Sequence, residues 1–155
     1  MSVDPFCNTD EISGTIFHKT EHFMILYDIR PVVRGHVLFI PKRHVTDLLE
    51  LTGEEVGDMH RTFAHAIPKI LGIYCPKEQS YDITSQIGAY SGRTVPHLHF
   101  HLLPRSKDDG YQGESSSSIY EDLKLEKTHF SRKDVDAEVY LLRKEFGYKP
   151  APRPV

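Results

Sequence analysis

Three histidines alternate with apolar residues in the segment 96–104, PHLHFHLLP. Alternate side chains of a β-strand point to opposite faces, so a predicted strand over residues 95–103 places His97, His99 and His101 on one face. The other face is apolar and must pack on the core; it carries Leu98, Phe100 and Leu102. We therefore expect the imidazoles on the more accessible face, about 6.6–7 Å apart, converging on one small anionic group.

The residues alone leave three interpretations of these histidines open. They could be structural, each bonded to a backbone carbonyl, although strict alternation opposite an unbroken apolar face disfavours this. They could bind a catalytic metal ion, since three histidines suit zinc, but no Glu-x-x-His or Asp-rich segment accompanies them. They could also form a phosphate site, because imidazole Nε2 is a good nucleophile toward phosphorus and neighbouring imidazoles can donate protons.

Composition excludes several classes of protein. The chain has 155 residues, which indicates one domain, and a formal charge of −3, which argues against a broad nucleic-acid-binding surface. No apolar run is long enough to cross a bilayer, and the start MSVDPFCNTD lacks a signal-peptide pattern. Only Cys7 and Cys75 are present, neither in a C-x-x-C pair, so we predict neither a disulfide framework nor a cysteine zinc site. We expect a reducing, cytoplasmic environment, with the nucleus left open.

Sequence periodicity predicts strands followed by a helix, then strands and a second helix. The predicted strands are 15–19, 23–27, 35–40, 80–86 and 95–103. Thr52 and Glu55 form a capping-box pattern that begins the first helix, and Pro68 predicts a kink or an early end. Ser131 and Asp134 begin the second helix. The apolar stripes of the two helices are Val56, Met59, Phe63, Ile67 and Ile70, and Val135, Val139, Leu142 and Phe146. This order favours an α+β domain with a mainly antiparallel sheet over residues 1–148.

Two segments are predicted to lie outside the packed core. Residues 106–118 contain two Asp, two Gly and a run of four Ser, which is typical of a flexible, solvated loop. The tail 149–155 contains three prolines and should leave the domain.

Motifs at three places resemble one family. Residues 92–103, GRTVPHLHFHLL, resemble the signature of the histidine-triad (HIT) superfamily, His-x-His-x-His followed by two apolar residues. Residues 28–38, DIRPVVRGHVL, resemble the family's first motif with its Pro-x-x-x-Gly-His-x-Leu spacing. Residues 118–123, SIYEDL, resemble the segment that follows the triad in the Fhit branch. The resemblance covers about residues 6–146 and implies a HIT-like fold with five strands and two helices per protomer.

The resemblance implies a reaction and catalytic residues. Members of the Fhit branch hydrolyse dinucleoside polyphosphates, preferentially diadenosine triphosphate, to AMP and ADP. By position, His99 would be the nucleophile that forms a covalent nucleotidyl-histidine, with its Nδ1–H held by the carbonyl of His97. His101 would donate to the phosphate or bridging oxygens, and His36 would support the cluster. The family implies a homodimer and no tightly bound cofactor, with Mg²⁺ or Mn²⁺ entering on the substrate; we predict no metal ligands in the protein.

The resemblance also implies substrate-binding residues. Asp28 would bind the ribose hydroxyls, although the residue alone is equally typical of a turn before proline. Gln86 and Thr94 would contact the phosphates. Leu26, Leu38 and Phe6 would enclose the base, although each is equally typical of a core. Arg93 replaces the Gln usual in this branch, and we predict that its guanidinium contacts the departing phosphates.

Two other functions remain open from the sequence. A nucleoside phosphoramidate hydrolase would use the same histidines, although the segment 118–123 argues against that branch. A nucleotide-bound signalling module with slow turnover is the third possibility, and comparing turnover with the lifetime of the bound complex would separate it from an enzyme. In each case the expected partner is a small nucleotide, with neither a membrane nor a broad nucleic-acid surface involved.

Overall fold

A five-stranded antiparallel sheet runs through the part of the chain that the structure, a computed structural model, describes: residues 4–7, 12–112 and 118–152. Its strands are β1 (Ile16–Lys19), β2 (Phe23–Tyr27), β3 (Val37–Pro41), β4 (Ser80–Thr84) and β5 (Phe100–Arg105). Their order is β1-β2-β3-β5-β4, and every neighbouring pair is antiparallel. The predicted α+β class and the five-stranded sheet are confirmed.

The central strands β2 and β3 are buried on both faces of the sheet. Both are almost entirely apolar, as expected of strands covered on two sides. One face packs under the long helices and includes Phe23, Ile25, Val37 and Phe39. The other face forms a second cluster that includes Met24, Leu26, Leu38 and Ile40. The second face is the one that carries the site described below.

Helix α1 spans Gly53–Tyr74 and begins as predicted. The Thr52 side chain accepts from the Glu55 amide, and the Glu55 carboxylate accepts from the Thr52 amide. The predicted early end at Pro68 is wrong, because the helix continues through it. Ile67, Ile70 and Leu71 anchor this part of the helix in the core, which offsets the hydrogen bond that proline cannot donate.

Two further α-helices follow the sheet. Helix α2 (Ser118–Lys124) was not predicted, so the prediction of only two helices is corrected; it buries Ile119 and Leu123 against a small apolar cluster. Helix α3 (Arg132–Phe146) begins at Ser131 with a capping box to Asp134, as predicted. It buries Val135, Val139 and Leu142 on the same core as α1. A 3₁₀ turn, Leu48–Glu50, precedes α1.

The histidine segment is a strand over only part of its predicted length. β5 begins at Phe100, and the residues before it bond to other partners: the Leu98 amide donates to the Val45 carbonyl over 2.7 Å, and the Ser85 hydroxyl donates to the His99 carbonyl over 2.7 Å. The apolar side is as predicted, because Leu98, Phe100 and Leu102 all lie in the main core. The histidines are not on an accessible face, however, because all three are buried.

The first residues of the predicted loop form specific hydrogen bonds with the end of β5. Arg105 Nε donates to the Asp109 carboxylate over 2.7 Å, and Arg105 Nη2 donates to the Tyr111 carbonyl over 2.7 Å. The serine-rich stretch 113–117 of the predicted loop and the tail residues 153–155 lie outside the described residues, while tail residues 149–152 are exposed. Within the described ranges, no helix is both long and apolar enough to span a bilayer.

Candidate active site

A row of paired side chains crosses four strands on the second face of the sheet. Leu26 on β2 pairs with Leu38 on β3, which pairs with His101 on β5, which pairs with Thr84 on β4. Directly opposite residues in antiparallel strands point to the same face, so this row sets an imidazole beside two leucines. A cavity of about 250 Å³ lies over Leu26, Leu38 and His101.

The cavity collects most of the predicted site residues from distant parts of the chain. Those that line it are Phe6, Leu26, Asp28, His36, Leu38, Gln86, Thr94, His99 and His101. His97 and Arg93 are not among its lining residues. Arg30 and Arg132 also line the cavity and were not predicted. The position of Arg30, two residues after Asp28, was a usable signal, whereas nothing in the sequence connects Arg132 to this site.

A glycine in the left-handed region positions His36. Gly35 has φ +92°, and a Cβ atom at this position would lie 2.6 Å from the Tyr74 ring. Any side chain here would therefore be strained and would clash with the ring. The Gly35 amide also donates to the Tyr27 hydroxyl over 2.8 Å, which fixes the turn that delivers His36 to the site.

Backbone hydrogen bonding fixes the tautomers of His36 and His101. The Val32 amide donates to His36 Nδ1 over 3.2 Å, so the neutral His36 ring carries its proton on Nε2. This Nε2–H donates to His101 Nδ1 over 2.9 Å. The neutral His101 ring therefore carries its proton on Nε2, a buried atom without a hydrogen-bond partner in the described structure. His101 thus offers an unused proton donor in a ring that lines the cavity.

The neutral His99 ring carries its proton on the other nitrogen. Its Nδ1 lies 2.7 Å from the His97 carbonyl oxygen, which can only accept, so the neutral ring carries its proton on Nδ1. Nε2 is then left with a free lone pair. The His99 ring packs edge-on against Phe6 and His101, with centroid distances of 5.1 and 4.9 Å. A ring with a bare nitrogen and a ring with an N–H donor therefore lie side by side in the cavity lining.

Burial keeps these rings neutral. It lowers the pKa of His99 below its ordinary value of 6.5, and that of His101 well below it. Burial lowers the pKa of His36 to about 3. At neutral pH each ring is therefore a neutral imidazole with one donor and one acceptor nitrogen.

Asp28 lies at the cavity wall with one carboxylate oxygen fixed. Its Oδ1 accepts from the Arg30 amide over 2.8 Å, which is the turn geometry expected before proline. Its Oδ2 lies 3.4 Å from His36 Nε2. The residue therefore serves the turn and also presents a carboxylate to the cavity, so its two predicted roles are compatible.

His97 does not join the cavity, which corrects the expectation that three imidazoles converge there. Its ring is fully buried on the other side of the segment, with Nε2 2.8 Å from the Pro41 carbonyl oxygen and Nδ1 2.6 Å from Asp4 Oδ2. The prediction that the three histidines share one face of a strand fails for His97, because His97 precedes the regular strand. His97 acts on the cavity through its main-chain carbonyl, which accepts a hydrogen bond from the His99 ring.

Arg93 is bound to a neighbouring loop. Its Nη1 donates to the Thr46 carbonyl over 3.0 Å. The guanidinium is still near enough for its charge to contribute to lowering the pKa of His99. Its influence on the cavity in this structure is therefore electrostatic.

Two groups of residues in the described structure have the donor types and spacing to hold a metal ion. The first group is Asp28, His36 and His101, and its contacts are explained by the hydrogen bonds of His36 and His101 described above. Asp4, Cys7, His44 and His97 form the other group, with ligand atoms all within 4.8 Å of one another. The sequence-based exclusion of a cysteine metal site rested on spacing along the chain, and it does not extend to ligands that the fold brings together. The D-x-x-C spacing near the N-terminus was the available signal.

Comparisons with known proteins identify the family of this chain. A HIT domain model matches residues 9–108. A bis(5'-adenosyl)-triphosphatase from Dictyostelium discoideum is 33% identical over 131 residues, which is 84% of this chain and 85% of that protein. The nitrilase and fragile histidine triad fusion protein NitFhit of Drosophila melanogaster is 38% identical over 105 residues. A solved structure, a Zn-bound histidine triad family protein from Mycobacterium smegmatis, has a TM-score of 0.66 at 25% identity and covers 92% of this chain and 91% of that one.

The chain belongs to the histidine-triad (HIT) family, in its Fhit branch. The match to the Drosophila fusion protein covers 68% of this chain and 22% of the fusion protein, so the chain spans about a fifth of that relative. The Dictyostelium relative, by contrast, is matched over most of its length.

Proposed function

We propose that the protein hydrolyses dinucleoside polyphosphates, with diadenosine triphosphate cleaved to AMP and ADP through a nucleotidyl group on His99. One observation carries the proposal: a neutral His99 with Nε2 free lies beside His101, whose Nε2–H has no partner in the described residues. A nucleophile and a proton donor side by side are what displacement at phosphorus requires. The name of the Dictyostelium relative supports the substrate class.

The cavity has two kinds of wall, which suit a nucleoside monophosphate unit. Phe6, Leu26 and Leu38 offer apolar surface for a base. Asp28 can accept hydrogen bonds from both the 2′- and the 3′-hydroxyl of a ribose. Gln86 and Thr94 also line the cavity, and they add neutral donors that suit phosphate oxygens. This arrangement orients the α-phosphorus toward His99.

In the first step His99 Nε2 attacks the α-phosphorus. The N–P bond forms as the bond from phosphorus to the bridging oxygen of the departing ADP breaks. His101 Nε2–H donates toward this oxygen, and His36 supports the donation because its own Nε2–H is bonded to His101 Nδ1. The His97 carbonyl stabilises the positive charge that develops on the attacking ring through its bond to Nδ1–H.

In the second step water attacks the same phosphorus and the N–P bond breaks, which releases AMP and restores neutral His99. The proton that water loses passes to solvent, because His99 and His101 each end the cycle as neutral imidazoles with the single proton they had at the start. A divalent cation, Mg²⁺ or Mn²⁺, enters with the polyphosphate and offsets its charge. Arg93 adds a positive charge near His99, which also offsets the negative charge of the polyphosphate.

Stereochemistry at phosphorus tests this route. Each displacement inverts phosphorus, so two successive displacements give net retention, whereas direct attack by water gives inversion. Hydrolysis of a chiral α-phosphorothioate of diadenosine triphosphate in ¹⁸O-labelled water should yield product with retained configuration. Net inversion would overturn the nucleotidyl-histidine route. A substrate panel of increasing phosphate number, with products identified, tests the preference for the triphosphate.

We also propose that the protein acts as a homodimer. The edge strand β4 exposes Tyr81 and Ile83, which is unusual for a sheet edge that remains free. Light scattering on the purified chain should give twice the monomer mass of 17.8 kDa. A monomer at micromolar concentration would reject the dimer without affecting the proposed reaction.

A further inference from the structure

Four potential ligand atoms converge where residues 4–7 meet the sheet. Asp4 Oδ2 lies 2.6 Å from His44 Nδ1 and 2.6 Å from His97 Nδ1. Cys7 Sγ lies 3.6 Å from each of these nitrogens and 3.0 Å from Asp4 Oδ2. The group, here the arm cluster, is separate from the cavity lining, and its Cys7 and His44 side chains are accessible to solvent.

The hydrogen-bond roles of His97 do not suit a metal-free arm cluster. Its Nε2 faces the Pro41 carbonyl oxygen at 2.8 Å and must therefore carry the proton. In the neutral ring Nδ1 is then a bare acceptor, yet it faces the Asp4 carboxylate, another acceptor, at 2.6 Å. Two acceptors at this distance need a proton between them, or a metal ion to which both atoms become ligands after a small separation. A histidine that gives its other N–H to a backbone carbonyl is the usual arrangement of a metal ligand.

The donor set and spacing fit a tetrahedral ion of the zinc type. Two imidazoles, one thiolate and one carboxylate are all donors that zinc accepts. With Zn–S near 2.3 Å and Zn–N near 2.0–2.1 Å, a tetrahedral site separates sulfur and nitrogen by about 3.6 Å. Cys7 Sγ lies at this distance from both ring nitrogens. The Asp4 carboxylate is closer than this to both imidazoles, at 2.6 Å, and to the thiol, at 3.0 Å, and these contacts would open by several tenths of an ångström around an ion.

We propose that Asp4, Cys7, His44 and His97 bind one zinc-type ion, and that this ion holds one wall of the cavity in place. Phe6 lies between two of the ligands in sequence, and its amide donates to Asp4 Oδ1 over 2.9 Å. The Phe6 ring lines the cavity and contacts the His99 ring. The ligand His97 provides the carbonyl that orients His99. Binding the ion therefore fixes both the base wall and the support of the nucleophile.

Direct metal measurements test the site. Wild-type protein titrated with Zn²⁺ and desalted should retain one equivalent by elemental analysis. Cobalt-loaded protein should show the thiolate-to-metal charge-transfer band, which Cys7→Ser abolishes and Cys75→Ser, the matched control at the other cysteine, keeps. His44→Ala should weaken zinc binding by at least about tenfold, whereas His60→Ala, at an exposed histidine of α1, leaves it unchanged.

Hydrogen–deuterium exchange tests the link to the cavity. Zn²⁺ should slow exchange in the peptide that contains Phe6 in wild type and in Cys75→Ser, but not in Cys7→Ser. The expected effect on nucleotide binding rests on the proposed function. The affinity of the protein for AMP should fall severalfold when zinc is removed from wild type. Phe6→Ala should lose this zinc dependence, because the wall that the ion holds is gone.

Each negative result has a defined meaning. Failure to retain zinc, or retention that survives both Cys7→Ser and His44→Ala, overturns the arm cluster as a metal site and favours a proton shared between His97 and Asp4. Zinc binding without any change in exchange at Phe6 overturns the structural link. If AMP binds neither form, the proposed nucleotide function fails, while the cobalt spectrum and the exchange data still decide the metal site.

Discussion

The Nδ1 atom of His99 lies 2.7 Å from the main-chain carbonyl oxygen of His97. A fixed acceptor two residues away thus determines which nitrogen of the central histidine is bare. On the neighbouring ring the proton is on the other nitrogen. The Val32 amide donates to His36 Nδ1, His36 Nε2–H donates to His101 Nδ1, and His101 is left with its proton on Nε2. The backbone therefore sets the difference between nucleophile and donor.

Replacing His99 should abolish turnover and leave binding largely intact. His99→Ala removes the attacking nitrogen, which contributes mainly in the transition state, so kcat should fall by about 10⁴–10⁶ with little change in AMP affinity. Steady-state kinetics and calorimetry measure the two quantities. His60→Ala is the matched control on the exposed face of α1. A variant at His99 that keeps more than about a tenth of its activity would remove the residue from this role.

Replacing Asp28 should weaken the binding of nucleosides with two ribose hydroxyls. Asp28→Ala removes an acceptor from the cavity, and hydrogen bonds to a charged group contribute about 1.5–3 kcal/mol. The affinity of AMP should fall accordingly, while 2′-deoxy-AMP should lose less. Asp108→Ala, at an exposed carboxylate outside the cavity, serves as the control. Equal wild-type affinities for the two nucleotides would leave Asp28 with its turn role alone.

Activity should persist below the pH at which an ordinary histidine is protonated. The nucleophile must be neutral, and burial lowers the pKa of His99 below 6.5. The acid limb of kcat/KM should therefore have its midpoint below pH 6.5 and fall as His99 gains a proton. A midpoint above 6.5 would contradict the buried, neutral nucleophile.

Arg93→Gln should move this acid limb toward higher pH. The substitution removes a positive charge that favours neutral His99, so the proton binds more readily. The salt dependence of kcat/KM should also weaken, and the requirement for Mg²⁺ should rise, because one cation near the polyphosphate is lost. Wild type and variant with superimposable pH, salt and Mg²⁺ profiles would show that the Thr46 carbonyl holds Arg93 away from the substrate.

Stability should fall as the solution is acidified below pH 6.5, in part through His36. Its folded pKa is about 3 and its unfolded value is near 6.5, so the unfolded chain binds the proton first. The contribution of His36 is complete above pH 6.5 and is lost toward pH 3, at about 1.4 kcal/mol per pH unit. Urea unfolding of wild type and His36→Gln at pH 7 and pH 5 measures the slope, which should be shallower in the variant; His60→Gln should match wild type. Equal slopes in wild type and His36→Gln would contradict a buried, neutral His36.

Local sequence signals were reliable where a few neighbouring residues determine the structure. The capping boxes at Thr52 and Ser131 form as predicted, because each involves residues only three positions apart. The alternation of Leu98, Phe100 and Leu102 predicted the buried side of the histidine segment, because burial of apolar surface depends little on partners. Of the two outcomes predicted at Pro68, the early end is wrong, since packing of the second half of α1 stabilises a helix that local rules would end.

The sequence by itself determined the family, the five-stranded α+β architecture and most of the residues around the cavity, because motif spacing and apolar periodicity are properties of the chain. Only the tertiary structure decided that His97 turns away from the cavity and contributes a carbonyl instead. Its ring goes to Asp4 and Pro41, which are remote from it in sequence. The same is true of the arm cluster, whose four ligands come from three separate segments. Long-range hydrogen bonding sets the orientation of the His97 ring, and no spacing along the chain encodes it.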